Sequence, residues 1–216
     1  MILFDLDGTL TDSAPGIVNC LRYALDDLGI EHPDAATMRS HLGPPLTVTF
    51  REHYGLDDQT IDRALAKYRE RYHDVGMFEN SVFDGIPELL SALERAGTTL
   101  AVSTSKPTES ATRILEHFGL DRHFAFIGGA EFDGPRQHKA DVIAHTLEAL
   151  AAQGSLEESD TLVMIGDRSH DIAGARVHGI PGIGVLWGYG DEAELVAAGA
   201  VRVADTPRAL LEALTN

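Results

Sequence analysis

Ile2-Leu3-Phe4-Asp5-Leu6-Asp7-Gly8-Thr9-Leu10 stands at the start of the chain: a short apolar run delivers two carboxylates and then turns at Gly8 and Thr9. Residues 2–6 read as a buried strand. Residues two apart in a strand share a face, so a strand running on through Asp7 would point both acids the same way. A strand that frays at Leu6 would set both acids at its carboxyl end, where open parallel sheets bind ligands. The plainer reading is a solvated turn, because Asp-Gly is a common turn signal.

From Asp12 the pattern becomes helical. Ser13 is the expected N-cap and Pro15 lies in the first turn. Ile17, Val18, Leu21, Ala24, Leu25 and Leu28 recur at three and four, and Gly29 ends the run. Short helices are expected over 35–42 and 46–54, around Gly43-Pro44-Pro45, and a longer one over 58–78. No strand is expected between Leu10 and Phe83. Beyond Phe83, helices 86–96, 107–118, 139–152, 171–178 and 207–214 alternate with strands 99–104, 124–128, 161–165, 182–187 and 201–204. Repeated strand–helix units imply an α/β fold with a parallel sheet and helices on both faces. Right-handed crossovers bring the carboxyl ends of its strands to one rim.

Four strand ends carry candidate site residues. The first supplies Asp5 and Asp7. The second reads Ser103-Thr104-Ser105-Lys106-Pro107, where hydroxyls emerge just before a helix whose N-terminus attracts anions; capping that helix is the simpler role for Thr104 and Ser105. The third is Lys139, at an expected helix start. A cation is electrostatically misplaced there, which suggests a local anion, although a surface lysine is the commoner case. The fourth is Gly166-Asp167-Arg168-Ser169-His170-Asp171, which follows an apolar strand with one acid and then a second, four residues on. A helix cap is the alternative for Asp171.

These four stretches, in this order, resemble the motifs of haloacid dehalogenase superfamily phosphatases. The resemblance implies a Rossmann-like core at 1–12 and 83–216, with a small all-helical cap inserted at 13–82. It implies that Asp5 attacks phosphorus, that Asp7 is the general acid and base, and that Lys139 neutralises nucleophile and phosphate. Thr104, with Ser105, would bind the phosphoryl group. Asp5, the Asp7 carbonyl and Asp167 would hold Mg²⁺, with Asp171 supporting. Hard oxygen ligands suit that ion. The implied reaction is phosphomonoester hydrolysis through an aspartyl-phosphate. Passing the phosphoryl group to another alcohol, or a regulatory role without activity, are the alternatives.

The substrate class follows less directly. Leu42-Gly43-Pro44-Pro45-Leu46, Gly166-Asp167-Arg168 and Gly184-Val185-Leu186-Trp187-Gly188-Tyr189-Gly190 resemble a bacterial branch of phosphoglycolate phosphatases and 5′-nucleotidases. A mutase of the family would have His where Ile17 stands, and a phosphonate hydrolase would need a cap lysine for a Schiff base; the cap's lysine, Lys67, reads as a surface residue. Trp187 and Tyr189 are candidates to stack on a base or to pack the rim. Arg51 and His53 are candidates for substrate contact or simple solvation.

Composition bounds the rest. The chain has 216 residues, enough for one sizeable core and a small subdomain. Its 17 basic against 34 acidic residues give a net charge of −17, which argues against binding nucleic acid polymers or anionic membranes. A small phosphorylated substrate stays compatible, because local cations and a metal offset that field. Cys20 is the single cysteine, so an intrachain disulfide and a cysteine-based zinc site are both excluded. Asp5 lies too near the start for a signal peptide and no apolar run spans a bilayer, so a cytoplasmic location is expected.

Overall fold

The structure, a computed structural model, describes residues 1–42, 46–131, 136–157 and 160–215. In chain order its strands are β1 (Ile2–Phe4), β2 (Thr11–Asp12), β3 (Ser81–Val82), β4 (Leu100–Pro107), β5 (Phe126–Ala130), β6 (Val163–Gly166), β7 (Gly182–Val185) and β8 (Arg202–Ala204). Its helices are α1 (Ala14–Asp27), α2 (Ala35–Ser40), α3 (Leu46–Tyr54), α4 (Asp58–Asp74), α5 (Ile86–Arg95), α6 (Thr108–His117), α7 (Lys139–Ala152), α8 (Ser169–Val177), α9 (Glu192–Ala198) and α10 (Pro207–Thr215).

Six strands form one parallel sheet in the order β5-β4-β1-β6-β7-β8. β1 is central: Ile2 pairs with Leu100 on one side and Val163 on the other. All three of its residues are buried, as the continuous apolar run requires of a strand covered on both faces. Strand order runs outward from β1 in both directions, so the carboxyl end of β1 is a switch point, where such sheets open a crevice. Leu3, Ala101 and Met164 on the sheet pack with Ile143 and Leu150 of α7 and Ala175 of α8. Each fully buried Leu or Ile contributes about 1.5–3 kcal/mol of transfer free energy.

The chain divides into two compact units, Met1–Asp12 with Val82–Asn216, and Ser13–Ser81. The second is helical: α1 and α4 pack closely, and a 3₁₀ turn at Gly76–Phe78 follows α4. Gly16 is required in α1, because a Cβ there would lie 1.9 Å from the Gly76 carbonyl. Arg71 and Glu79 make a paired contact at 2.6 and 2.9 Å beside buried Cys20. No described helix is long and apolar enough to cross a membrane.

The structure corrects several expectations. β1 stops at Phe4, two residues early, because the chain turns at once around the Leu6 carbonyl, which accepts from the Leu10 and Thr11 amides. β2 and β3 pair as a two-residue ribbon where no strand was expected; two residues carry no readable alternation. Ser13 takes the N-cap position of α1 without a side-chain capping bond. The helix expected over 58–78 ends at Asp74. β7 ends at Val185, leaving Trp187 and Tyr189 in a turn. α9 was not anticipated, although Asp191 caps it by accepting from the Glu194 amide and Gly199 closes it at φ +100°. Gly43-Pro44-Pro45 lies outside the described residues.

Candidate active site

β1 delivers Asp5 one residue beyond its end. The Asp5 amide still donates to the Ile165 carbonyl of β6 at 2.9 Å, so the backbone under this carboxylate is held by the sheet. Gly8 then takes φ +79°. A Cβ at Gly8 would lie 2.2 Å from Asp167 Oδ2, so the turn demands glycine for its conformation and for its closeness to β6.

Lys139, the first residue of α7, reaches into this crevice. Its Nζ lies 2.9 Å from Asp5 Oδ1 and 2.7 Å from Asp171 Oδ1, and it donates to the Ser103 carbonyl at 3.0 Å. The Ser103 carbonyl accepts one ammonium proton, and the two carboxylate oxygens stand at ion-pair distance. The Lys139, Asp5 and Asp171 side chains are 2%, 6% and 0% exposed, so this is no solvated surface lysine. Gly174 of α8 makes room for its stem, since a Cβ there would lie 2.8 Å from Lys139 Cγ. Burial works against the Lys139 charge, but Asp171 and Asp5 outweigh it and hold its pKa above the ordinary lysine value.

The same contacts set the carboxylates apart. Burial would raise the Asp5 pKa, yet Lys139, His170 and the Thr104 hydroxyl together hold it below the usual value. Asp171 stays above its usual value, because burial and Asp5 outweigh Lys139. Asp171 also caps α8, its Oδ2 accepting from the Arg168 amide at 3.0 Å. Asp171 thus caps α8 with one oxygen while the other faces Lys139. Asp167 is raised well above its usual value by burial, then by Asp171 and Asp5, against the Tyr189 amide and the Thr9 hydroxyl.

At the end of β4 the pairing with β5 shifts register between Thr104 and Pro107. Thr104 is buried, and its Oγ1 accepts from the Lys106 amide at 3.2 Å. Ser105 is exposed, on the opposite side of the alternation, and Lys106 instead turns inward, its Nζ 2.8 Å from Asp7 Oδ2. Asp7 is the most open of the acids, its side chain 24% exposed. The expected residues Asp5, Thr104, Lys139, Asp167 and Asp171 thus share one crevice, with Asp7 beside it on Lys106; Ser105 does not join them. Lys106, His170, Thr9 and the Ser103 carbonyl were missed. Inward alternation with Thr104 was the available signal for Lys106; a main-chain carbonyl leaves none.

The charges here suit a divalent cation. Asp5, Asp167 and Asp171 are three buried carboxyl groups with the Lys139 ammonium among them, so the acids outnumber that cation. Asp7 Oδ1 is buried with no hydrogen-bond partner among the described residues. One oxygen each of Asp5 and Asp171 and a nitrogen of His170 also lie within 4.8 Å of one another. A hard cation is better served by the carboxylate oxygens than by the His170 nitrogen.

Comparison with known proteins identifies the family. Residues 2–185 match the family model described as haloacid dehalogenase-like hydrolase. A 5′-nucleotidase of Pseudomonas aeruginosa is 50% identical over 91% of this chain and 86% of its own. The tyrosine-protein kinase PtkA of Mycobacterium tuberculosis is 48% identical over 88% of this chain, which spans 63% of that relative's length. The crystal structure of a predicted phosphatase from Clostridium acetobutylicum superposes with a TM-score of 0.89 at 42% identity, covering 99% of this chain and 96% of that one. A family match over residues 2–185 and a relative half identical along most of its length lead to one conclusion: the chain belongs to the haloacid dehalogenase-like hydrolases.

Proposed function

We propose that the protein is a Mg²⁺-dependent phosphomonoesterase acting on a small phosphorylated metabolite, of phosphoglycolate or nucleoside 5′-monophosphate type, through an aspartyl-phosphate at Asp5. The observation that carries this reading is the buried Lys139 ammonium shared between Asp5 and Asp171, with the further buried acid Asp167 nearby. The names of the relatives support phosphate-ester chemistry.

In this reading Asp5, held ionised by Lys139, attacks phosphorus. The bond to the leaving oxygen breaks as Asp7 gives that oxygen a proton. Asp7 then takes a proton from water, whose oxygen attacks phosphorus and breaks its bond to Asp5, releasing inorganic phosphate. Lys139 and the Thr104 hydroxyl steady the oxygens of the transferring group. Asp5, the Asp7 carbonyl and Asp167 would hold Mg²⁺, which supplies charge neutralisation between carboxylate and phosphate. We further propose that Ser13–Ser81 acts as the substrate-selecting cap, that the site takes small molecules rather than polymers or membranes, and that the protein works in the cytoplasm.

The test is phosphate release from phosphoglycolate, nucleoside 5′-monophosphates, sugar phosphates and pyrophosphate, with and without Mg²⁺. Metal-dependent release from one or a few of these supports the reading; release that continues in full with chelator present contradicts it. The similarity to PtkA favours phosphotransfer as a second reading. Transfer from ATP to a protein tyrosine, without release of phosphate in the absence of acceptor, would favour it.

A further inference from the structure

Both oxygens of Asp167 are held, and by different stretches of chain. The Thr9 hydroxyl donates to Oδ1 at 3.1 Å. The Tyr189 amide donates to Oδ2 at 2.8 Å. Thr9 is itself held from the same turn as Tyr189: the Trp187 indole N–H donates to the Thr9 carbonyl at 2.9 Å. At its far end the Tyr189 hydroxyl donates to Asp12 Oδ1 at 3.1 Å, so the turn is tied at both sides of the Asp5–Asp12 segment.

This closeness is built into the sequence of the turn. A Cβ on Gly188 would lie 2.3 Å from the Gly8 carbonyl and 2.4 Å from Asp167 Cβ. A Cβ on Gly190 would lie 2.1 Å from the Asp167 carbonyl. Two glycines therefore let the backbone approach to hydrogen-bonding distance. Packing alone would be served by any apolar ring at position 187. An indole adds one donor, which needs an acceptor when withdrawn from water, and the acceptor here is the peptide whose side chain grips Asp167.

We propose that the Trp187–Gly190 turn positions the Asp167 carboxylate for a divalent cation, the Tyr189 amide acting directly and the Trp187 indole acting through Thr9; this rests on the metal-dependent reading above. Trp187 is a positioning residue. With one donor on each oxygen, the carboxylate cannot rotate, and a lone pair on each is left for the ion. Outer contacts of this kind change metal affinity by about 10–100-fold when removed.

The experiment is Mn²⁺ binding to substrate-free protein, read from the electron paramagnetic resonance signal of free ion. Trp187→Phe keeps a ring and removes the N–H. We expect it to bind Mn²⁺ about tenfold more weakly than the parent. Thr9→Val should weaken binding at least as much, and the double variant no further, because both act along one path. Affinity of Trp187→Phe within about twofold of the parent, or losses that add, would overturn the proposal. Should Trp187→Phe fail to fold, the parent decides alone. Trp187 is its only tryptophan, so Mg²⁺ should shift the emission with the same midpoint at which it displaces Mn²⁺, and unchanged emission overturns the proposal. A parent that binds no Mn²⁺ removes the metal-dependent reading itself, whereas equal binding by parent and variant removes only the role of the turn.

Discussion

Replacing Lys139 with Met should destabilise the metal-free protein far more than an ordinary lysine substitution. An exposed ion pair contributes about 0–1 kcal/mol, but that figure does not apply here. The Lys139 side chain is 2% exposed and its partners Asp5 and Asp171 are 6% and 0% exposed. Removing it leaves two buried carboxylates facing each other without a cation. Losing one partner of a buried pair costs about 3–5 kcal/mol, a large share of the roughly 5–15 kcal/mol that holds a domain folded. For a chain of this size each kcal/mol moves Tm by about 2–4 °C, so the expected fall is roughly 6–20 °C. Thermal melting in EDTA measures this fall, and urea unfolding in EDTA, followed by circular dichroism and Trp187 emission, measures the free-energy loss. Saturating Mg²⁺ should recover part of the loss by supplying the missing positive charge. Adding Asp171→Asn to the Lys139 variant should also recover part, because it removes one of the stranded charges. A loss below about 1 kcal/mol, the value for a surface pair, would refute the reasoning.

Other perturbations probe neighbouring contacts. Asp167→Asn should stabilise the metal-free protein: the folded-state pKa of Asp167 is raised, so the group weakens the fold once pH rises above its unfolded value. The gap in Tm between variant and parent should therefore widen from about pH 4 toward neutrality, and should reverse with Mg²⁺; a gap that narrows with rising pH contradicts this. The amide can keep both partners, since the Thr9 hydroxyl can accept as well as donate. Gly8→Ala should lose about 1–3 kcal/mol of stability from its left-handed backbone, and should also weaken Mg²⁺ binding, because the new methyl displaces Asp167; equal melting curves would count against it. Chelator should abolish phosphate release and Mg²⁺ should restore it, with unchanged turnover in EDTA as the contrary result.

The sequence was most informative where burial is continuous. Runs such as Ile2–Phe4 and Val163–Gly166 are apolar because the sheet is covered on both faces, and each ends in the acid that matters. Lys139 stood out because a cation heads α7, and the structure supplies its anions, Asp5 and Asp171. Alternation carried on past Thr104 would have set Ser105 outward and Lys106 inward, but the strand was expected to stop at Thr104, whereas β4 runs on to Pro107 and brings Lys106 to Asp7. Periodicity could not show the ribbon of β2 and β3, held by pairing between distant segments rather than by pattern. Trp187 and Tyr189 were visible as candidates, but their partners, the Thr9 carbonyl and Asp12, lie more than 170 residues away in sequence.

The most direct test of the central claim is to identify the group that accepts phosphate. Turnover of the best substrate with Mg²⁺ would be quenched and treated with borohydride, which reduces an aspartyl-phosphate to homoserine, and the N-terminal peptide read by mass spectrometry. Homoserine is expected at position 5, absent without substrate and absent in Asp5→Asn, which should also release no phosphate. Sustained turnover with position 5 left as unmodified aspartate, or near-full activity in Asp5→Asn, would contradict it.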